Sequence, residues 1–174
     1  MFNSVRPDGL TIGRMSTPFV MQPMLGESGI LYDIDKVSYL GTSYSGGYHI
    51  FISRREAGLD NLEKLRAASG TRIGSQSVGH LIYISGRLFA YLMGLKQPRF
   101  VTGYSSPELD VAIEQGEIDA RSTVADSLLH EKPQWVDKGL LDFHGIIEIP
   151  KGRKHSYPRF AQLADIESFA KSEM

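Results

Sequence analysis

One loop in the sequence combines glycines and serines in a way that favours anion binding. It runs Gly74-Ser75-Gln76-Ser77-Val78-Gly79 and joins a short predicted strand to the longest predicted helix. The first turn of a helix has unpaired N–H groups and about half a unit of positive charge from the helix dipole. Glycines let a ligand approach the backbone, and serine hydroxyls add donors. The 74–79 loop therefore predicts a site for a small carboxylate, sulfate or phosphate.

Other interpretations of this loop depend on its spacing. A P-loop ends in Gly-Lys-Ser/Thr, and the loop has no lysine; a dinucleotide fingerprint needs G-x-G-x-x-G, which is also missing. A nucleophile elbow, G-x-S-x-G, is matched except at its first position. Ser77 is then a candidate nucleophile, with Asp126 and either His144 or His155 as its later partners. A serine hydrolase remains an alternative, as does a loop that its own serines cap without a ligand.

Alternating strands and helices are predicted around the loop. The firmest is a helix over about 80–93, with Leu81, Ile84, Leu88 and Leu92 on one stripe and Gly94 to end it. Period-2 or short apolar patterns predict strands, at 10–15, 37–40, 48–53, 72–73, 100–101, 118–122 and 140–149. The other predicted helices cover 18–25, 60–68, 107–115 and 124–135. The alternation predicts an α/β fold with a mostly parallel sheet flanked by helices, in which ligands bind beyond the carboxyl ends of strands.

Composition narrows the function classes. The 174 residues are 41% hydrophobic and 22% charged, which is typical of a globular domain with a real core. A formal charge of −1 leaves no basic field for nucleic acid. With no cysteine, the chain has no disulfides and no cysteine zinc site, and its five histidines lack metal-ligand spacing. We expect neither a metal nor a cofactor. The first 20 residues show no apolar stretch of the kind that a secretory signal has.

The order and spacing of four segments resemble one known family. The segments are Pro7-Asp8-Gly9-Leu10-Thr11, the 74–79 loop with its helix, Phe100-Val101-Thr102-Gly103-Tyr104-Ser105-Ser106, and Gly116-Glu117-Ile118-Asp119. Together they resemble the substrate-binding proteins of tripartite tricarboxylate transporters, over about residues 7–169. The resemblance implies a two-lobed, type II periplasmic-binding-protein fold. It also implies a periplasmic protein, not an enzyme, that captures a small carboxylate between its lobes and delivers it to a membrane permease.

The resemblance also implies how the chain divides. Residues 1–46 would be a remnant of lobe one with the first crossing strand, 47–141 would be lobe two, and 142–174 would be the returning strand with more of lobe one. The small residues Ser45-Gly46-Gly47 suit a hinge. A lobe without its partner exposes surface that invites association, so a homo-oligomer is expected. A ligand-sensing domain of a regulator is a further alternative, because it can share this fold.

Thirteen residues are predicted to bind the ligand. The resemblance supplies one set from lobe one and two loops: Ser16, Thr17, Gly74, Ser75, Gln76, Ser77, Val78, Gly79, Tyr104 and Ser105. His80 joins them because it lies in the first helical turn behind the loop. Arg121 and Ser122 lie at the carboxyl end of a predicted strand. Arg121 there either pairs with a second ligand carboxylate or forms a surface ion pair.

Overall fold

A computed structural model describes residues 6, 8–13, 15, 17–24, 26, 28–41 and 47–170, with the backbone alone at Thr17 and Pro18. The predicted hinge residues Ser45 and Gly46 and the predicted ligand residue Ser16 lie outside the described residues. The proposed division of the chain into two lobes therefore stays a prediction.

Five strands form one sheet in the order β3-β2-β4-β1-β5. They are β1 (Gly47–Arg54), β2 (Arg72–Gly74), β3 (Arg99–Val101), β4 (Ala120–Val124) and β5 (Leu141–Ile149). Strand β2 pairs in parallel with β3 and β4, whereas β1 is antiparallel to both of its neighbours, β4 and β5. Four strands thus run in one direction and β1 runs against them. The expected α/β fold with a mostly parallel sheet is confirmed.

Within the described ranges, seven α-helices connect or flank these strands. They are α1 (Thr17–Met24), α2 (Leu62–Ala67), α3 (Leu81–Met93), α4 (Ser106–Glu114), α5 (Ala125–Glu131), α6 (Pro133–Asp137) and α7 (Pro158–Ala161). The single helix predicted over 124–135 is wrong, because Lys132 leaves the helical conformation before Pro133. No helix among the described residues combines the length and the apolar character needed to span a membrane.

Helix α3 is confirmed in its bounds, but the prediction of its buried face is wrong. His80 is the N-cap residue, and Gly94 ends the helix in the left-handed conformation. Leu88, which was expected in the core, is 42% exposed. The buried side is built instead on Ser85, Gly86, Phe89, Ala90 and Met93. Small residues there let the helix lie close to the sheet, which the apolar spacing alone did not reveal.

Both faces of the sheet are covered by apolar side chains. Along β1, Ile50 and Ile52 belong to one core cluster and Phe51 to the other, as the alternation of a strand requires. The first cluster is covered by α4, α5 and α6, with Trp135 fully packed within it. The second lies under α3. This layering holds the carboxyl ends of β2 and β4 beside the start of α3.

The two N-terminal strands predicted at 10–15 and 37–40 are wrong among the described residues, which pair with no strand there. Leu10, Ile12, Leu31 and Leu40 are 78–87% exposed. An alternating pattern makes a strand only where a neighbouring strand supplies hydrogen bonds, and none lies beside these residues. The helix predicted at 18–25 is confirmed as α1 over its described residues.

Candidate functional site

A cleft of about 520 Å³ opens where α3 begins, beside the carboxyl end of β4 and between helices α4 and α5. Its volume lies in the usual range for small-molecule sites, roughly 300–1,000 Å³. Fourteen residues line it: His49, Gln76, His80, Leu81, Ile82, Ser106, Leu109, Asp110, Arg121, Ser122, Thr123, Val124, Ser127 and Glu131. The cleft is at the position expected for a ligand in an α/β sheet.

The 74–79 loop is fixed to the connection between β3 and α4 by three hydrogen bonds. The Ser75 N–H donates to the Val101 carbonyl oxygen at 2.9 Å, and the Gly103 N–H donates to the Gln76 carbonyl at 2.6 Å. The Gln76 side-chain amide donates to Ser106 Oγ at 3.0 Å. The loop is therefore already ordered before a ligand binds, so less conformational entropy is lost on binding.

Two glycines of the loop are required by its geometry. A Cβ at Gly74 would lie 2.3 Å from Ile118 Cδ1 and 2.9 Å from Leu109 Cδ2, so this position has no space for a side chain. Gly79 has φ = 85°, in the left-handed region that other residues rarely adopt. The glycines thus serve close packing and a turn in the chain.

His80 closes the first turn of α3 and also faces the cleft. Its Nδ1 accepts a hydrogen bond from the Ile82 N–H at 3.2 Å, so the neutral ring carries its proton on Nε2. Partial burial lowers the pKa of His80. The N–H groups of Leu81 and Tyr83 have no hydrogen-bond partner within the described part of the chain. Helix α3 therefore has two unpaired backbone donors in its first turn, of which Leu81 belongs to the cleft lining and Tyr83 does not, in addition to the imidazole N–H of His80.

His49 reaches the cleft from strand β1, which lies between β4 and β5 in the sheet. The residue is 4% exposed, and its Nδ1 has no hydrogen-bond partner among the described residues. Burial, and to a lesser degree the nearby His80, lowers the pKa of His49. The ring is therefore a neutral polar group with an unused nitrogen.

Arg121 is already paired within the protein. Its Nη2 lies 2.7 Å from Asp110 Oδ1, and the two side chains are 8% and 13% exposed. Asp110 Oδ2 also lies 3.6 Å from Lys132 Nζ. Burial lowers the pKa of Arg121, and the opposing charge of Asp110 partly offsets that effect. The arginine thus forms a buried ion pair through Nη2 and not the expected surface pair, while its Nε has no hydrogen-bond partner among the described residues. Its predicted role toward a ligand carboxylate stays a prediction.

Comparison with known proteins identifies the architecture. No family model matches the sequence, and no curated protein matches it. The periplasmic binding protein BugD, of solved structure, is 14% identical with a TM-score of 0.63, over 97% of this chain and 56% of BugD. A TctC solute-binding protein from Polaromonas is 13% identical with a TM-score of 0.59, over 88% of this chain and 50% of its own.

The fold is that of a periplasmic binding protein. MatC from Rhodopseudomonas palustris, solved with bound malate, shares it at 12% identity and a TM-score of 0.54, over 71% of this chain and 40% of MatC. The chain spans about half the length of these periplasmic binding proteins. The periplasmic-binding-protein fold that the sequence resemblance implied is confirmed, and the two-lobed arrangement stays a prediction.

Within this periplasmic-binding-protein fold, four of the predicted ligand residues line the cleft: Gln76, His80, Arg121 and Ser122. Ser122 Oγ accepts a hydrogen bond from Ser85 Oγ at 2.8 Å, so it also joins β4 to α3. Gly74 and Ser75 lie buried behind the lining, where Ser75 Oγ has no partner among the described residues. Ser77, Val78 and Gly79 belong to the same turn but are not part of the lining.

Three other predicted residues are not brought into the cleft lining. Tyr104 donates its hydroxyl to Glu117 Oε1 at 2.5 Å, and this bond raises the pKa of Tyr104 to about 12. Ser105 caps α4, and its N–H donates to Glu108 Oε2 at 2.7 Å. Both residues thus have roles in the local structure. Thr17 is the first residue of α1, and its side chain is not described.

The structure does not bring the candidate hydrolase residues together. His155 Nε2 lies 3.1 Å from Asp126 Oδ1, and its Nδ1 accepts from the Tyr157 N–H at 2.9 Å. His144 Nε2 is paired with the buried Ser53 Oγ at 2.8 Å. Neither histidine hydrogen-bonds to Ser77 within the described ranges, so this serine has no base beside it. The described residues also contain no group of three histidine or acidic side chains arranged to hold a metal ion.

Sequence reasoning missed several residues of the lining, notably His49, Asp110, Thr123 and Glu131. His49 carried a signal, because it is a polar residue next to the apolar run Ile50-Phe51-Ile52 of strand Gly47–Arg54. Asp110 directly follows the buried Leu109 in α4, so the sequence also indicated a carboxylate close to the buried side of this helix. Such signals indicate burial, but only the fold shows that both residues face the same cleft.

Proposed function

We propose that this chain is an extracytoplasmic solute-binding protein, or part of one, that captures a small carboxylate for a tripartite tricarboxylate-type transporter. The observation that carries the proposal is the partly polar cleft at the first turn of α3, whose lining includes Leu81, a residue with an unpaired backbone N–H among the described residues. The structural neighbours are binding proteins, and one of them was solved with malate. These neighbours support a periplasmic location and a binding role, not an enzymatic one.

Binding follows from the donors already in place. The ligand carboxylate accepts hydrogen bonds from the N–H groups of Leu81 and Tyr83 and from His80 Nε2. Charge-assisted hydrogen bonds of this kind contribute about 1.5–3 kcal/mol each. The dipole of the 13-residue helix α3 adds to them. Closure of a second lobe over the ligand would exclude water, and the closed form would be the one that a membrane permease accepts.

One charge-insertion variant tests this proposal. Ser106 lines the cleft at the first position of α4, where an aspartate is compatible with the helix. We expect wild-type protein to broaden the NMR lines of malate with a Kd near millimolar or weaker, which corresponds to about −4 kcal/mol. Ser106→Asp should weaken this binding at least several-fold through repulsion.

The control is Ser168→Asp, which adds the same charge in an exposed turn outside the lining. It should leave malate binding as in wild type. Equal binding by both variants would show that malate does not enter this cleft, and the proposal would fail.

The binding role also predicts that Ser77 is unreactive. Neither candidate base hydrogen-bonds to it among the described residues, so its hydroxyl keeps the low nucleophilicity of free serine. A fluorophosphonate should not label the protein, and activated esters should be hydrolysed no faster than in buffer. Mass spectrometry decides the matter: stoichiometric labelling of Ser77 would replace the binding role with a hydrolase.

Exposed apolar side chains in the N-terminal segment predict self-association. Leu10, Ile12, Leu31 and Leu40 are mostly in solvent, and large exposed apolar side chains favour association when they come together on a surface. We expect dimers or larger species of this chain by light scattering. Substituting Leu10 and Ile12 by serine should shift the population towards monomer. A monomer at high concentration for the wild-type chain would contradict this expectation.

A further inference from the structure

The charges that face the cleft do not suit a ligand with two carboxylates. The cleft lining contains one arginine, Arg121, whose charge Asp110 balances through a 2.7 Å contact with Nη2, while its Nε has no hydrogen-bond partner among the described residues. Glu131 adds a second carboxylate to the lining, at the end of α5. With both histidines neutral, these groups sum to one negative charge. A first ligand carboxylate would bind at the start of α3, whereas a second would enter a lining whose charged side chains already sum to a negative charge.

The floor of the cleft offers neutral hydrogen-bonding groups instead. His49 is 4% exposed and has an unpartnered Nδ1, while its neighbours in the lining, Ser122 and Thr123, are 1% and 8% exposed. A buried polar atom without a partner costs free energy unless a ligand or water completes its hydrogen bond. Nδ1 of a neutral imidazole donates in one tautomer and accepts in the other. A hydroxyl group matches both tautomers, whereas a carboxylate matches only one.

We propose that His49 is a specificity-determining residue, and that its Nδ1 hydrogen-bonds a neutral hydroxyl on a ligand that has one carboxylate. The ligand class is then a small hydroxy-monocarboxylate, its carboxylate at the start of α3 and its hydroxyl at the floor beside β1. This inference rests on the proposed carboxylate-binding function and narrows it. One ligand pose then explains two observations: the unpartnered Nδ1 of His49 and the pairing of Arg121 with Asp110 inside the protein.

A matched set of ligands tests the inference on the wild-type chain. The set is 3-hydroxybutyrate, butyrate, succinate and 4-aminobutyrate, each titrated while the backbone amides of Leu81 and Tyr83 are followed by NMR. One hydrogen bond to a buried group predicts that 3-hydroxybutyrate binds about five- to tenfold more tightly than butyrate. Succinate should bind no more tightly than butyrate. Tighter binding of succinate, or of 4-aminobutyrate through Glu131, would overturn the proposal.

Variants of His49 locate the effect. His49→Leu should reduce the ratio of the butyrate Kd to the 3-hydroxybutyrate Kd to about one, since it removes the hydrogen bond. His49→Asn should retain most of the ratio, because the asparagine side chain places a polar atom close to the position of Nδ1. The control His130→Leu, on an exposed residue of α5, should keep the wild-type ratio. A wild-type ratio in His49→Leu would overturn the role of His49.

The two proposals fail in different ways. If butyrate and 3-hydroxybutyrate shift the Leu81 and Tyr83 amides with equal affinity, the inference about His49 is wrong and the carboxylate-binding function stands. If no carboxylate shifts these amides, both are wrong.

Discussion

Asp110→Ala should lower the free energy of unfolding by about 3 kcal/mol or more. Asp110 Oδ1 is the partner of Arg121 Nη2 at 2.7 Å, and both side chains are nearly buried. Removing one member of such a pair leaves an uncompensated charge in a region that water reaches poorly, which typically costs about 3–5 kcal/mol. Lys132 lies near the same carboxylate and would add to the repulsion once Asp110 is gone. Urea unfolding at pH 7 measures the loss.

Two further variants show that the loss arises from the unpaired charge. The double variant Asp110→Leu with Arg121→Met removes both charges at similar volume and should recover most of the stability. Asp60→Ala breaks an exposed pair with Lys64 and should cost far less than Asp110→Ala. If Asp110→Ala is no more harmful than Asp60→Ala, Arg121 does not depend on Asp110, and it becomes available to a ligand again.

The second large effect is a loss of stability at acid pH that arises from His144. Burial lowers the pKa of His144 from 6.5 to about 4, while its Nε2 is hydrogen-bonded to Ser53 Oγ. In the unfolded chain His144 therefore becomes protonated near pH 6.5, whereas in the folded chain it becomes protonated only near pH 4. Stability falls as the pH drops through this window, and one pKa unit corresponds to about 1.4 kcal/mol, so His144 contributes about 3 kcal/mol to the loss.

His144→Gln isolates this contribution, because the amide can keep a hydrogen bond to Ser53 without titrating. We expect the free energy of unfolding of the wild type to fall by about 3 kcal/mol more than that of the variant between pH 7 and pH 4. His130→Gln, on an exposed histidine, should follow the wild type. Parallel pH profiles for wild type and His144→Gln would mean that the buried histidine is protonated as easily as one in solvent.

Local sequence signals were sufficient to predict the structural features that depend only on residues close together in the chain. The start of α3 at His80, its end at Gly94 and the 74–79 loop between β2 and α3 all follow from residues within a few positions of one another. Such signals depend on capping and backbone conformation, which the neighbouring residues decide. The fold class follows as well, because alternation of strands and helices restricts the ways in which the layers can pack.

Features that depend on distant partners could not be predicted in the same way. Arg121 is in β4 and Asp110 is in α4, so their pairing appears only once both elements are packed. His49 faces the cleft because β1 lies beside β4 in the sheet. The alternating residues at 10–15 made no strand, since no neighbouring strand lies beside the described part of that segment. The period of the apolar residues predicts which face of an element is apolar, but not which other element packs against that face.

Chemical-shift mapping with malate tests the central claim most directly. Because the anion-binding donors belong to the first turn of α3 and the loop before it, titration should shift the backbone amides of Ser75, Ser77, Gly79, Leu81 and Tyr83 together, with one Kd. Sulfate should shift the same set more weakly if shape and the second polar group of the ligand contribute. Shifts confined to other regions, with the 74–79 loop and the start of α3 unchanged, would contradict the account.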